Sequence, residues 1–257
     1  MMFADHALAR RIERAEAINA RGCAPVREQS AVLEAGGGFA VFAGVASPLT
    51  HAIGVGMNGP VSEADLARIE AFFRARGAPV SFDLSPLADP GLFHALAARG
   101  YRVTEFNNVL VKRLAGFEIA LTPRVRRALP DEEDLWAHTL GHGFFDKSGL
   151  TDNEMNIGRD LFEMDGALCY LTMLDGQAAG GGAMAVRDGL ATLCADATIA
   201  GYRGRGLHRE LIAARLNEAV AQGCDMATAS TLPGSQSQRN YERMGFEVVY
   251  TKVTLSA

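Results

Sequence analysis

The chain predicts an α/β (α+β) fold of two similar domains, each a mixed, mostly antiparallel sheet flanked by helices. Three observations carry this. Asp175-Gly176 and Asp188-Gly189 are hairpin turns, because Asp-Gly readily supplies the positive-φ positions of a tight β-turn. They divide the chain into three strands, Ala167–Leu174, Gln177–Arg187 and Leu190–Ile199. Leu207, Leu211, Ile212, Leu216 and Val220 then recur at helical spacing, predicting an amphipathic helix to about Ala221. Finally, the order of elements in this half repeats an order found earlier in the chain.

In the first half a helix spans about Ala4–Ala20, strands flank the Gly36-Gly37-Gly38 turn, and a third strand ends near Val55. The helix Ser62–Arg76 presents Leu66, Ile69, Phe72 and Phe73 to a core. A strand Val80–Leu84, a helix Leu92–Arg99 and a last strand after Gly100-Tyr101 complete it. In the second half, helices at Leu135–His142 and Asn153–Met164 precede the three strands. A strand Met226–Thr231, a short helix Gln238–Met244 and a strand Phe246–Leu255 follow the amphipathic helix. Gly100-Tyr101-Arg102-Val103 aligns without gaps with Gly245-Phe246-Glu247-Val248, and Gly77 falls opposite Gly223. The pattern reads as an internal duplication, with domains at 1–114 and 115–257.

Composition narrows the function. The chain has 257 residues, 48% of them hydrophobic, enough for real cores. A formal charge of -5 with no long run of one sign argues against a nucleic-acid or anionic-membrane surface. No window approaches the roughly 18 apolar residues of a membrane span. Cys23, Cys169, Cys194 and Cys224 lack metal or disulfide spacing and read as reduced residues of a cytoplasmic protein.

The most informative stretch is Ala200 to His208, reading Ala-Gly-Tyr-Arg-Gly-Arg-Gly-Leu-His between a strand and a helix. Glycines there let the backbone turn tightly, and bare N–H groups at a helix start make an anion cradle reinforced by the helix dipole. Arg203, Arg205 and Arg209 add positive charge. A pyrophosphate suits such a loop. In the first half the corresponding segment runs Met57 to Asp65, where Ser62 and Asp65 resemble a capping box and Glu63 adds a second negative charge. Those carboxylates satisfy the helix and repel phosphate. The first half therefore keeps the architecture without the cofactor site.

The order strand, Arg203-Gly204-Arg205-Gly206-Leu207-His208, helix, strand, then Tyr241-Glu242-Arg243-Met244-Gly245-Phe246 resembles the GNAT superfamily of acyl-CoA-dependent N-acetyltransferases. The resemblance covers roughly Leu135–Leu255 directly and the first half through the repeat, giving tandem GNAT-like domains with a degenerate first one. It implies acetyl-CoA held in a cleft where the strand ending at Ile199 parts from Met226–Thr231. The main chain of Arg203, Gly204, Arg205, Gly206, Leu207 and His208 would hold its pyrophosphate, and Ala197, Thr198, Ser237 and Asn240 its pantetheine arm. Tyr241 would protonate the departing thiolate, and Asp196, Asp152, Glu154 or an ordered water would take the amine proton. The motif departs from the family at His208, where Gly or Ala is usual, leaving its ring to point outward or to touch the phosphate. The acceptor would be a small-molecule amine, and the protein a monomer or homodimer whose first domain walls off the acceptor site or replaces a dimer partner.

Alternation along Leu190–Ile199 predicts that Thr192, Cys194, Asp196 and Thr198 share a polar cleft face. Three other signals are set aside. Gly54-Val55-Gly56-Met57-Asn58-Gly59 fits a dinucleotide fingerprint, yet Pro60 and the Ser62 cap delay the next helix beyond the loop. His138 and His142 lie four apart without the Glu of a zinc-protease motif or an apparent third ligand, so no metal is expected. Gly180-Gly181-Gly182 lacks a following Gly-Lys-Ser/Thr and reads as a bulge. The competing functions are a non-catalytic acyl-CoA sensor and an NAD-binding enzyme using Gly54–Gly59.

Overall fold

The computed structural model describes residues 4–23, 29–120, 122–147 and 149–257. In chain order these form α1 (His6–Cys23), β1 (Ala31–Ala35), β2 (Gly38–Phe42), β3 (His51–Ile53), α2 (Glu63–Arg74), β4 (Ser81–Leu84), α3 (Pro90–Ala98) and β5 (Arg102–Arg113). There follow β6 (Val125–Arg127), α4 (Glu133–Phe145), α5 (Asp152–Phe162), β7 (Leu168–Leu174), β8 (Gln177–Arg187) and β9 (Leu190–Thr198). The chain closes with α6 (Leu207–Ala221), β10 (Met226–Thr231), α7 (Gln236–Arg243) and β11 (Glu247–Ser256). Two units emerge: Met1–Val109 with Val248–Ala257, and Leu110–Glu247.

In the first unit β1, β2 and β3 form an antiparallel meander, β4 runs parallel to β3, and β11 lies antiparallel to β4 with Val253 opposite Leu84. Helices α2 and α3 bury Leu66, Ile69, Phe73, Leu92 and Leu96 against Ala40, Phe82 and Leu255. Ser62 caps α2, accepting from the Asp65 N–H at 3.1 Å. The Gly54–Gly59 loop is consumed by the fold: Gly56 N–H donates to Gly36 O at 3.0 Å, Gly56 O accepts from Asp89 N–H at 2.9 Å, and Val55 and Met57 are buried. Lys252 of β11 sits buried against Glu13 and Glu16 of α1 and Asp83 of β4, at 3.1, 2.7 and 2.7 Å.

The second unit contains an antiparallel run β6-β7-β8-β9 and β10 parallel to β9. The end of β5 lies beside β10, where Thr228 Oγ1 donates to Leu110 O at 3.1 Å. On one face Leu193, Ile212, Leu216, Tyr241 and Phe246 form a core; on the other, Trp136, Leu140, Leu171, Ala183 and Ala197 form a second. The three-residue β6, which no sequence period marks, pairs with β7.

The halves repeat in detail. Gly77 and Gly223 both adopt positive φ (67° and 76°), as do Gly100 and Gly245 (85° and 83°). The residue after each of the latter donates back over the same interval, Tyr101 to Leu96 O and Phe246 to Tyr241 O, both at 3.1 Å. Sequence domains and units divide the chain differently at two places: residues 110–114 fall in the second unit, and Val248–Ala257, most of β11, fall in the first, where β11 pairs with β4.

The expected alternation along β9 fails at one residue. Ala195 has φ 57°, and the pairing with β8 slips between Gly181 and Ala183. This bulge inserts a residue and reverses the phase of the strand. Leu193 faces the α6 core before it and Ala197 the α4 core after it, so Asp196 points toward α6 and does not share a face with Cys194.

Candidate functional site in the second unit

The pairing of β10 with β9 runs from Met226 opposite Leu190 to Ala229 opposite Leu193 and then stops. The two strands part where β9 bulges, and the loop after β9 closes the gap. A short 3₁₀ turn, Ala200–Tyr202, leads to Gly204 and Gly206 at φ 77° and 82°, a region strained for residues with a Cβ. A Cβ on Gly204 would meet nothing within 4 Å, so this backbone is bare. Gly206 caps α6 without any side-chain bond. The first turn's amides thus precede the bond that Arg209 N–H makes to Gly206 O at 3.0 Å.

Beside this turn lies a cavity of about 610 Å³. Ala197, Thr198, Arg203, Gly204, Gly206, Leu207, His208, Ser237 and Asn240 line it, with Asp196, Arg209 and Arg243. Arg205 lines an adjoining hollow of about 510 Å³, its guanidinium 5.8 Å from the Tyr202 ring. Arg203 is committed to the protein: its guanidinium donates to Thr198 O, Gly143 O and Asp146 Oδ2 at 3.0, 3.0 and 3.2 Å. Its N–H is also spent, on Ala200 O at 3.1 Å. The bare segment therefore starts at Gly204.

Asp196 is the hub of the cavity floor. His208 Nε2 lies 3.0 Å from Asp196 Oδ2, and the Tyr241 hydroxyl donates to the same oxygen. Arg215 Nη2 stands 2.5 Å from Oδ1. The His208 ring points neither outward nor to the bare loop; it turns inward. Asn240 Oδ1 accepts from Gln236 Nε2 at 3.1 Å, leaving Nδ2 to donate to His208 Nδ1 at 2.9 Å. This network assigns the ring proton to Nε2, aimed at Asp196. Burial alone would raise the Asp196 pKa, but Arg215, His208 and the Tyr241 bond outweigh it and hold it below the usual carboxylate range. Burial, then the Asp196 charge, push the Tyr241 hydroxyl well above its ordinary value.

The sequence reading missed Arg215, although a signal was present. It falls four residues after Leu211 within the buried face of α6, and a cation there needs a partner. The three glycines do mark the bulge. A Cβ on Gly182 would come within 2.5 Å of Asp196 Oδ1 and 3.1 Å of Arg215 Nη1, so the missing side chain makes room for the ion pair. Of the other acids considered, Glu154 closes a capping box with Thr151 and pairs with Lys147 at 2.7 Å. Asp152 starts α5.

A mixed sheet with one parallel pair that parts beside a glycine-rich helix start is the GNAT fold, and solved structures share it across nearly the whole chain. A GCN5-related N-acetyltransferase from Kribbella flavida aligns over 97% of this chain and 95% of its own, with TM-score 0.70 and 20% identity. A tandem GNAT protein from the clavulanic acid biosynthesis pathway aligns over 98% and 93%, with TM-score 0.63 and 15% identity. A third, from Sphaerobacter thermophilus, covers 70% and 59% at TM-score 0.53 and 13% identity. Residues 133–246 match the family model described as "Acetyltransferase (GNAT) family". No curated protein matches. Among the described residues, no helix is long and apolar enough to cross a membrane.

Proposed function

We propose that the second unit is an N-acetyltransferase that moves an acetyl group from acetyl-CoA to an amine of a small molecule. The observation that carries this is the uncapped, glycine-flanked start of α6 opening on the 610 Å³ cavity, with the Asp196 network on its floor. The residues present fit the cofactor: Gly204 and Gly206 leave the backbone open to phosphate. The main chain from Gly204 to His208 would bind the pyrophosphate, with Arg209 and Arg243 adding charge. Ala197, Thr198, Ser237 and Asn240 border the space for the pantetheine arm. Acetyl-CoA supplies a thioester that a neutral amine can attack.

The protein's part is to bind, orient and move protons. Tyr241 is the proposed donor to the departing sulfur, a role that requires its hydroxyl, bonded to Asp196 on a residue 2% exposed and outside the cavity lining, to come free on the cavity side. Asp196, ionised by Arg215, holds the Tyr241 hydroxyl and the His208 ring in place; its lowered pKa suits that task better than gaining and losing a proton near neutrality. In the first unit the capped α2 and the consumed Gly54–Gly59 loop support a domain without a cofactor site of its own.

Calorimetric titration with acetyl-CoA, with NAD(H) in parallel, tests the reading, followed by a panel of amines assayed for free thiol. Saturable acetyl-CoA binding and amine-dependent thiol release are expected. Binding without release from any amine would leave an acyl-CoA sensor, and NAD(H) binding alone would overturn both.

A further inference from the structure

We propose that His138 and His142 form a two-histidine site for a divalent transition-metal ion of the zinc, nickel or copper class on α4. This does not depend on acetyl transfer. Residues four apart share one face of a helix. Here the rings turn toward each other, centroids 4.2 Å apart, and the two Nε2 atoms stand 3.2 Å apart. Two imidazole nitrogens on one ion, each at about 2.0–2.1 Å, lie about 2.9 Å apart at a right angle and about 3.3 Å apart at the tetrahedral angle. The observed spacing falls between these.

The chain that follows α4 prepares one ligand. Asp146 takes a left-handed turn (φ 51°) and bonds back to His142 O at 3.2 Å. This brings Lys147 O to 2.7 Å from His142 Nδ1. A carbonyl there fixes the proton on Nδ1 and leaves the Nε2 lone pair aimed at His138, the second-shell arrangement that orients metal-bound histidine. Without an ion, one ring must donate to the other; with one, both lone pairs are used. Imidazole pairs suit zinc, nickel and copper. Among the described residues no group of three or more His, Cys, Asp and Glu gathers around an ion, so water or a bound donor would fill the remaining positions. His138 is exposed and His142 partly buried, so the pair is reached by the solvent from the His138 side.

The test is calorimetric titration of tag-free, chelator-treated protein with nickel chloride and with zinc sulfate near neutral pH. It is repeated on His138→Ala and His142→Ala, each checked for an unchanged melting temperature. One-to-one saturable binding in the parent, lost in both variants, is expected. Because His142 also bonds the Lys147 carbonyl, the exposed His138 variant is decisive. Binding that survives His138→Ala, or no binding up to about 1 mM ion, would overturn the proposal.

Discussion

Asp196, in the cavity lining, meets the fully buried Arg215 at 2.5 Å, their side chains 8% and 0% exposed. A buried pair of this kind stabilises little relative to apolar residues, yet removing one member strands the other. Arg215→Met should therefore lower unfolding stability by about 3–5 kcal/mol, measured by urea denaturation. Asp196→Asn in the same background should restore part of it, because the stranded charge is gone. A parent-like midpoint for Arg215→Met would show that the pair is not what organises the floor.

Tyr241→Phe removes one hydroxyl from Asp196 and leaves the ring in its core. Acetyl-CoA affinity should be unchanged, while kcat with any amine that supports turnover should fall by about 10²–10⁴. Steady-state kinetics beside calorimetry separates the two. An undiminished rate would move the proton donor to water or to His208.

The arginines of the loop should not behave alike. Arg203→Glu breaks three bonds within the protein, so both melting temperature and acetyl-CoA affinity should drop. Arg209→Glu reverses a charge on the cavity wall and should weaken affinity with little change in melting. If both variants bind acetyl-CoA like the parent, the loop is not its site.

In the first unit, Glu13 is held up at about 7 against an ordinary 4.5. Burial is the main cause; Lys252 opposes it, and Glu16 and Asp83 add to it. Between those values the folded chain binds a proton that the unfolded chain does not, so this group makes stability fall as pH rises through the window. Glu13→Gln keeps an acceptor for the Tyr250 hydroxyl, which donates to Glu13 Oε1 at 2.8 Å. The variant should flatten the decline in melting temperature between about pH 5 and about pH 7. Identical slopes would falsify the assignment.

Most elements were legible because the sequence marks them locally. The Asp-Gly turns delimit β7, β8 and β9 within a residue or two, and β10 begins and ends where its run of strand formers does. The arginine–glycine loop likewise needed only its glycines. What escaped depends on partners distant in sequence. The phase of β9 hangs on a left-handed Ala195, which carries no local mark, so the periodicity placed Asp196 with Cys194 when it belongs with Leu193. Arg215 was hidden in an otherwise apolar face, since its reason for being there is a carboxylate 19 positions earlier. The inward turn of His208 is set by Asp196 and Asn240, neither of which adjoins it in the chain.

The placement of β11 bears on how the chain comes to be folded at all. Lys252 pairs with Glu16, which lies 236 positions earlier, and with Asp83 of β4, so α1 and β4 leave the ribosome without their counter-ion. Until that last strand is made, three acidic groups face a pocket they cannot fill, and the early half of the chain can only hold a provisional form. Such long-range closure slows folding and leaves unpaired strand edges exposed meanwhile. A fragment cut at the midpoint would inherit that unfinished state permanently, however faithfully its sequence repeats that of its twin.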